Sequence, residues 1–170
     1  MYCFKKFKPL FEMDGERFDT FVLTGGRGSM KTGHAVRAVM VEMMKRRLRV
    51  VCFRETKTSQ KDSLINEFKE LIGGEFKGRG FVSNTETIKN VLTGASVTFL
   101  GLRDANENAR EAIKGLAQVD IWLVDEAQAV SSGVWDVLLK TIRKEGAKLI
   151  VIYNRIDDDL PVEKALFLDY

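Results

Sequence analysis

Three β-rich runs carry almost no polar residue inside them: Arg49 to Arg54, Val119 to Val124 and Lys148 to Tyr153. A strand with one wet face alternates polar and apolar side chains. A run without that alternation fits a strand covered on both faces, as in a parallel sheet between helices. The segments between these runs have helical spacing. Thr32 to Arg47 places Ala35, Val36, Val39, Met40, Met43 and Met44 on one stripe, which reads as core packing. Ser59 to Ile72 does the same with Leu64, Ile65, Phe68, Leu71 and Ile72, and Gly73-Gly74 stops it. Ser131 to Lys144 turns Val134, Val137, Leu138 and Ile142 inward, with Gly146 beyond its end. A first strand is expected over Phe18 to Thr24. A hairpin is expected from Thr87 to Leu92, through Thr93-Gly94-Ala95, into Ser96 to Leu100. Asp104 to Lys114 is polar and weakly helical, and Asp157-Asp158-Asp159-Leu160-Pro161 reads as an acidic turn. No repeat or linker interrupts the chain. The expectation is one α/β domain over residues 1–170, with a mostly parallel sheet and helices on both faces. Ligands of such sheets sit beyond the carboxyl ends of the strands.

Two motifs fall at strand ends. Gly25-Gly26-Arg27-Gly28-Ser29-Met30-Lys31-Thr32 follows the first strand and opens the first helix. A turn that wraps backbone N–H groups around phosphate oxygens needs glycine's freedom and its lack of a side chain. Lys31 is placed to reach the β and γ phosphates, Thr32 to hold magnesium, and the helix N-terminus to face the anion. Met30 stands where such loops normally carry Gly. Arg27 has two readings: a second cation on the γ phosphate, or a surface arginine of the loop.

The second motif is Ile121-Trp122-Leu123-Val124-Asp125-Glu126. Asp125, after the apolar run, is a magnesium ligand candidate, and Glu126 is placed to orient and deprotonate a water. Taken alone, an Asp-Glu pair also caps following segments. After a phosphate loop it indicates binding and hydrolysis of a nucleoside triphosphate.

Composition narrows the remaining classes. Charged residues make up 30% of the 170 and the net charge is +3, which permits contact with nucleic acid without arguing for it. The basic run Lys45-Arg46-Arg47-Leu48-Arg49 suits a helix C-terminus, and the alternative is a phosphate-contacting patch. His34 is the only histidine, which argues against histidine-based metal sites and a Ser-His-Asp triad. Cys3 and Cys52 offer no disulfide framework, Cys52 is expected in the core, and a reducing intracellular setting follows. No apolar run is long enough to span a bilayer, and the N-terminus lacks a signal-peptide core, so no membrane association is expected.

The chain resembles the N-terminal ATPase domain of the tailed-phage terminase large subunits, the DNA-packaging motors. The resemblance covers nearly the whole chain. It is carried by Gly25 to Ser29 before Lys31-Thr32, and by Arg54-Glu55-Thr56-Lys57 with Asp62-Ser63. Ile113-Lys114-Gly115 leading into Asp120 to Ala127 adds to it, as does Tyr153-Asn154 with Pro161-Val162 and Phe167. The last group is similar to the family's coupling motif, with Arg155 where a Pro is usual. The resemblance implies a P-loop NTPase of the ASCE type with ATP and Mg2+ as cofactors, and Asn154 sensing the γ phosphate. It further implies double-stranded DNA, a portal protein and a small terminase subunit as partners, and a homo-oligomeric ring in the cytoplasm of the infected host. An isolated chain can be monomeric. The ring's arginine finger falls on Arg103 or Arg110, each of which also reads as solvated surface. Arg54 reads as a pocket residue or as a strand-end cation. The family's RNase H-like nuclease half has no counterpart here, so DNA cleavage is not expected. Two rival readings remain: a nucleotide-binding assembly module without turnover, and a helicase-like or recombinase-like ATPase.

Overall fold

The computed structural model describes residues 5–13, 19–26, 28–54, 61–84, 87–101, 113, 115–116, 118–155 and 160–167. Cys3, Arg27, Arg103, Arg110, Asp157 to Asp159, nearly all of the weakly helical stretch after Asp104, and the side chain of Arg54 lie outside that description.

Strand β1 (Thr20–Thr24) leads into helix α1 (Lys31–Lys45), then β2 (Arg49–Arg54) and α2 (Lys61–Gly73). Three shorter strands follow: β3 (Phe81–Ser83), β4 (Thr87–Asn90) and β5 (Ser96–Gly101). The chain continues through β6 (Ile121–Val124), a 3₁₀ turn (Ala127–Ala129), α3 (Ser132–Thr141), β7 (Lys148–Tyr153) and α4 (Pro161–Phe167). A 3₁₀ segment, Lys5–Glu12, precedes them all. The strands form one seven-stranded sheet in the order β1-β7-β6-β2-β5-β4-β3. The five strands β1, β7, β6, β2 and β5 run parallel to one another, and only the β5-β4 and β4-β3 pairings are antiparallel.

The apolar runs explain the layering. Successive side chains of a strand point to opposite faces. Val50, Cys52, Ile121, Leu123, Ile150 and Ile152 enter one core with α1, α2 and the 3₁₀ segment Lys5–Glu12. Val51, Phe53, Trp122, Val124, Leu149, Val151 and Tyr153 enter a second core with α3 and α4. Helices therefore cover both faces. Each fully buried Leu, Ile, Val or Phe contributes about 1.5–3 kcal/mol.

Side chains account for several element ends. Asn90 ends β4 two residues before the expected Leu92, because its Oδ1 accepts the N–H groups of Leu92 (3.0 Å) and Thr93 (3.2 Å). The Thr93 hydroxyl donates to Met43 O at 2.6 Å, which ties the hairpin to the last turn of α1. Helix α3 stops at Thr141 rather than Lys144, where the Thr141 hydroxyl bonds back to Val137 O at 2.7 Å. At the amino ends of the strands, Asp120 accepts the Arg49 N–H (2.7 Å) and pairs with Lys144 (2.7 Å). The basic run closes α1 at this end: Lys45 pairs at 2.6 Å with Glu42, itself fully buried. The loop after β1, the Asp125-Glu126 pair and Asn154 lie at the opposite, carboxyl end of the sheet. No helix among the described residues is long and apolar enough to cross a membrane.

Candidate nucleotide site

The loop from β1 to α1 reverses direction within a few residues. Gly25 (φ 148°) and Gly28 (φ 75°) take backbone angles that side-chain-bearing residues avoid. Met30 does so too, at φ 57° and ψ 23°, in the left-handed region. That angle accounts for glycine's usual presence at this point, because a side chain there costs about 1–2 kcal/mol. The Met30 side chain is 52% exposed and takes no part in either core.

Lys31 turns back over this loop. Its three Nζ–H donors are shared among four acceptors: Gly25 O (2.8 Å), Gly26 O (3.0 Å), Ser29 Oγ (2.8 Å) and Asn154 Oδ1 (3.1 Å). The ammonium is thus held at the mouth of the loop by the tip of β7. Burial pushes its pKa down, Asp125 opposes that, and Lys6 adds to it. The Thr32 hydroxyl donates to Asp125 Oδ1 at 3.4 Å, so a hydroxyl and a carboxylate converge from two elements.

Asp125 directly follows β6, and its N–H continues the ladder by donating to Phe53 O at 2.9 Å. Its Oδ1 also accepts the Glu126 N–H at 3.0 Å. Glu126 is the second left-handed residue that is not glycine, at φ 54° and ψ 40°. This bend turns the chain from β6 into the 3₁₀ turn and brings Glu126 onto the cavity wall. The Asn154 N–H donates to Gln128 Oε1 at 3.3 Å, linking the end of β7 to that same turn.

These groups surround one cavity of about 430 Å³, lined by residues of the loop between Gly26 and Gly33, by Asp125, Glu126, Gln128 and Asn154, and by Glu67 of α2. A Cβ added at Gly26 or Gly28 meets nothing within 4 Å, so the loop opens onto space. Backbone N–H groups, a buried ammonium and a helix N-terminus suit a polyphosphate. The hard oxygens of Thr32 and Asp125 suit Mg2+. The sequence-expected residues Gly25, Gly26, Gly28, Ser29, Met30, Lys31, Thr32, Asp125, Glu126 and Asn154 are therefore brought together. Arg27 lies outside the described residues.

Gln128, Glu67 and Glu163 add to the set expected from sequence. Gln128 has a signal in its place just beyond the acidic pair. Glu163 has none, because the stretch into Pro161 reads as a turn rather than as the start of α4. Its Oε1 accepts the Tyr153 hydroxyl at 3.0 Å and pairs with Arg155 Nε at 3.4 Å. Arg155, standing where the coupling motif carries Pro, thus helps anchor the end of β7 to α4. Burial pushes the Tyr153 pKa up, the Glu163 bond and charge add to this, and Thr24 and Arg155 oppose it.

The strand carrying Asn154 lies between the phosphate-loop strand and the acidic strand. That order, with a phosphate loop and an acidic pair at the strand ends, defines an α/β P-loop NTPase of the ASCE type. The family model of the phage terminase large subunit matches residues 17–170, and the chain belongs to that family. Its fold is similar to that of the large terminase of bacteriophage HK97, with TM-score 0.70 and 14% identity over 90% of this chain and 33% of that one. The large terminase of a thermophilic bacteriophage gives TM-score 0.69 and 15% identity over 90% of this chain and 39% of that one. The same thermophilic-phage protein in complex with ADP gives TM-score 0.67 and 16% identity over 88% and 38%. The chain thus spans 33–39% of the length of these terminases. No curated protein sequence matches it.

Proposed function

We propose that this chain is a single ATP-hydrolysing motor domain that works in viral DNA packaging. The observation that carries the reading is the convergence on one cavity of Lys31, Thr32, Asp125, Glu126 and Asn154 from three strand ends. The thermophilic-phage large terminase, similar in fold, has been solved with ADP and with ATP-γ-S, which supports ATP as the ligand here.

In this reading the loop amides and Lys31 bind the β and γ phosphates. The ammonium exchanges some of its four loop and Asn154 contacts for phosphate oxygens. Thr32 and Asp125 hold Mg2+, which when bound neutralises charge on the phosphate oxygens. Glu126 orients a water and accepts its proton as the water oxygen bonds to the γ phosphorus. The bond from the γ phosphorus to the bridging oxygen breaks, and ADP and phosphate leave. Asn154 reports the γ phosphate through its contact with Lys31, and Arg27 is assigned the γ phosphate on the family resemblance. Double-stranded DNA, the portal protein, the small subunit and a ring of identical chains are the proposed partners, in the cytoplasm of the infected host. No nuclease activity is assigned to residues 1–170.

The test is ATP turnover with magnesium against protein concentration, for the parent and for Glu126→Gln. Turnover that rises more steeply than linearly and vanishes in the variant supports a motor site completed by a neighbour. An active Glu126→Gln sinks the base assignment. Nucleotide binding without turnover, with or without DNA, favours the assembly-module reading. Strong stimulation by single-stranded nucleic acid, with unwinding, favours the helicase-like one.

A further inference from the structure

The only histidine of the chain is 2% exposed and lies in the first turn of α1, directly behind the phosphate loop. Its Nδ1 lies 2.9 Å from Met30 O. A carbonyl only accepts, so Nδ1 carries the proton and donates. The His34 backbone N–H donates to the same oxygen at 3.1 Å. Met30 O therefore takes two bonds from one residue, and Met30 is the strained, left-handed residue of the loop.

The second half of the arrangement comes from the segment before the first strand. Phe7, in the 3₁₀ segment Lys5–Glu12, stacks on the His34 ring at 4.3 Å between centroids and 26° between planes. Phe7 is itself 4% exposed, and Leu10 and Met13 of the same stretch are each 1% exposed in the core beneath α1. The neighbouring Lys6 Nζ lies 4.9 Å from the Phe7 ring centroid. The ring that bonds the loop is thus clamped by a segment distant in sequence.

A trans peptide is planar, with C=O and N–H pointing in opposite directions. Whatever fixes Met30 O therefore fixes the Lys31 N–H. That N–H is one of the first-turn donors with no acceptor inside the helix, and it leaves α1 toward the phosphate cavity. We propose that His34, clamped by Phe7, is a positioning residue that holds the Met30–Lys31 peptide with its N–H aimed at the nucleotide phosphate. Residues 5–13 then belong to the nucleotide site although none of them lines its cavity. The proposal rests on the nucleotide-binding reading for its purpose, and on the loop geometry alone for its mechanics.

Three variants separate the parts. His34→Leu keeps apolar bulk and removes the donor. His34→Asn restores an amide nitrogen where Nδ1 sits and removes the stack. Phe7→Leu keeps burial and the donor and removes the stack. ADP titrated with magnesium should bind about tenfold more weakly to His34→Leu, the scale of one lost hydrogen bond. Binding to His34→Asn should return to within about threefold of the parent, and Phe7→Leu should fall between. Hydrogen exchange of the peptide containing residues 28–32 should quicken in His34→Leu and recover in His34→Asn. Ring nitrogen shifts of the parent should show the Nδ1–H form. Parental affinity and exchange in His34→Leu, equal loss in His34→Asn and His34→Leu, or an Nε2–H ring would each overturn the proposal. Lys31→Ala keeps the two failures apart: if neither it nor the parent binds ADP, the nucleotide reading falls. The exchange and ring-shift results then still decide whether His34 positions the loop.

Discussion

Met30 and Glu126 stand at two ends of the same site and share an unusual backbone. Both are left-handed without being glycine, at φ 57° and φ 54°, and both stand just before a helical segment begins. They differ in what the side chain does. Both line the cavity, but Met30 is half exposed and supports neither core, whereas Glu126 carries a carboxylate and directly follows Asp125. The strain at Met30 is a backbone requirement that any residue of low cost in that region would meet. On the proposed reading Glu126 must also supply a carboxylate, which glycine lacks. The proposed function therefore divides the two left-handed residues, one replaceable by glycine and one tied to its carboxylate.

The sharpest way to break this comparison is to make both residues glycine. Glu126→Gly relieves the strain and removes the proposed base, so turnover should fall by about 10²- to 10⁴-fold. Glu126→Gln keeps the left-handed strain and should lose turnover to the same extent, with ADP still bound. Steady-state turnover beside ADP titration reads both. If Glu126→Gly retained turnover within a few-fold of the parent, Glu126 would be a second Met30, serving the bend alone.

Lys31 sits between the two turns and gives the next effect. Its pKa is lowered, by burial first and against the pull of Asp125, so its ammonium discharges at lower pH than an ordinary lysine. Above that point nucleotide binding must restore the proton. Affinity for ADP should therefore fall as pH rises, by up to about tenfold per unit, with an onset below the ordinary lysine range. Lys31→Arg, which does not discharge, should flatten the profile even where it binds more weakly. The folded free protein has the opposite sign. Folded Lys31 binds fewer protons than unfolded Lys31 between the lowered and the ordinary value, so its contribution to stability grows as pH rises through that window. A flat ADP profile for the parent would detach Lys31 from the phosphate.

The same physical distinction decides what could be read from the sequence. Strands β2 and β7 were legible to the residue, because a fully apolar run flanked by charge leaves one place for a strand to lie. The glycine-rich loop and the Asp125-Glu126 pair stand out in the sequence because each has particular residue types at fixed spacing, and the structure brings both to one cavity. What escaped rests on single tertiary contacts. The segment Lys5–Glu12 contains Pro9 and is too short to show a period, and Phe7 is placed by a ring stack with His34. Strand β3 is three residues long and exists by pairing with β4. Helix α4 begins at Pro161, which reads as turn punctuation although proline also suits a helix's first position. The left-handed angle at Met30 was visible only as a departure from pattern, since nothing local in a Ser-Met-Lys string demands it.

The smallest predicted effects concern Met30 itself. Met30→Gly removes the left-handed cost of about 1–2 kcal/mol and adds back about 0.5–1 kcal/mol of backbone entropy lost on folding. The net gain runs from about zero to about 1.5 kcal/mol, at about 2–4 °C of Tm per kcal/mol for a domain of this size. Met30→Val should move the other way, by about 1–2 kcal/mol, because a β-branched side chain tolerates this region worse than Met does. ADP affinity should stay near parental in Met30→Gly, since a backbone carbonyl remains at position 30 to accept from His34. Thermal melts and ADP titrations on the two variants read these opposite signs. If Met30→Gly lowered Tm, or if it cost nucleotide affinity while leaving Tm unchanged, the Met30 side chain would be contributing to the site. Met30 and Glu126 would then both be tied to their side chains.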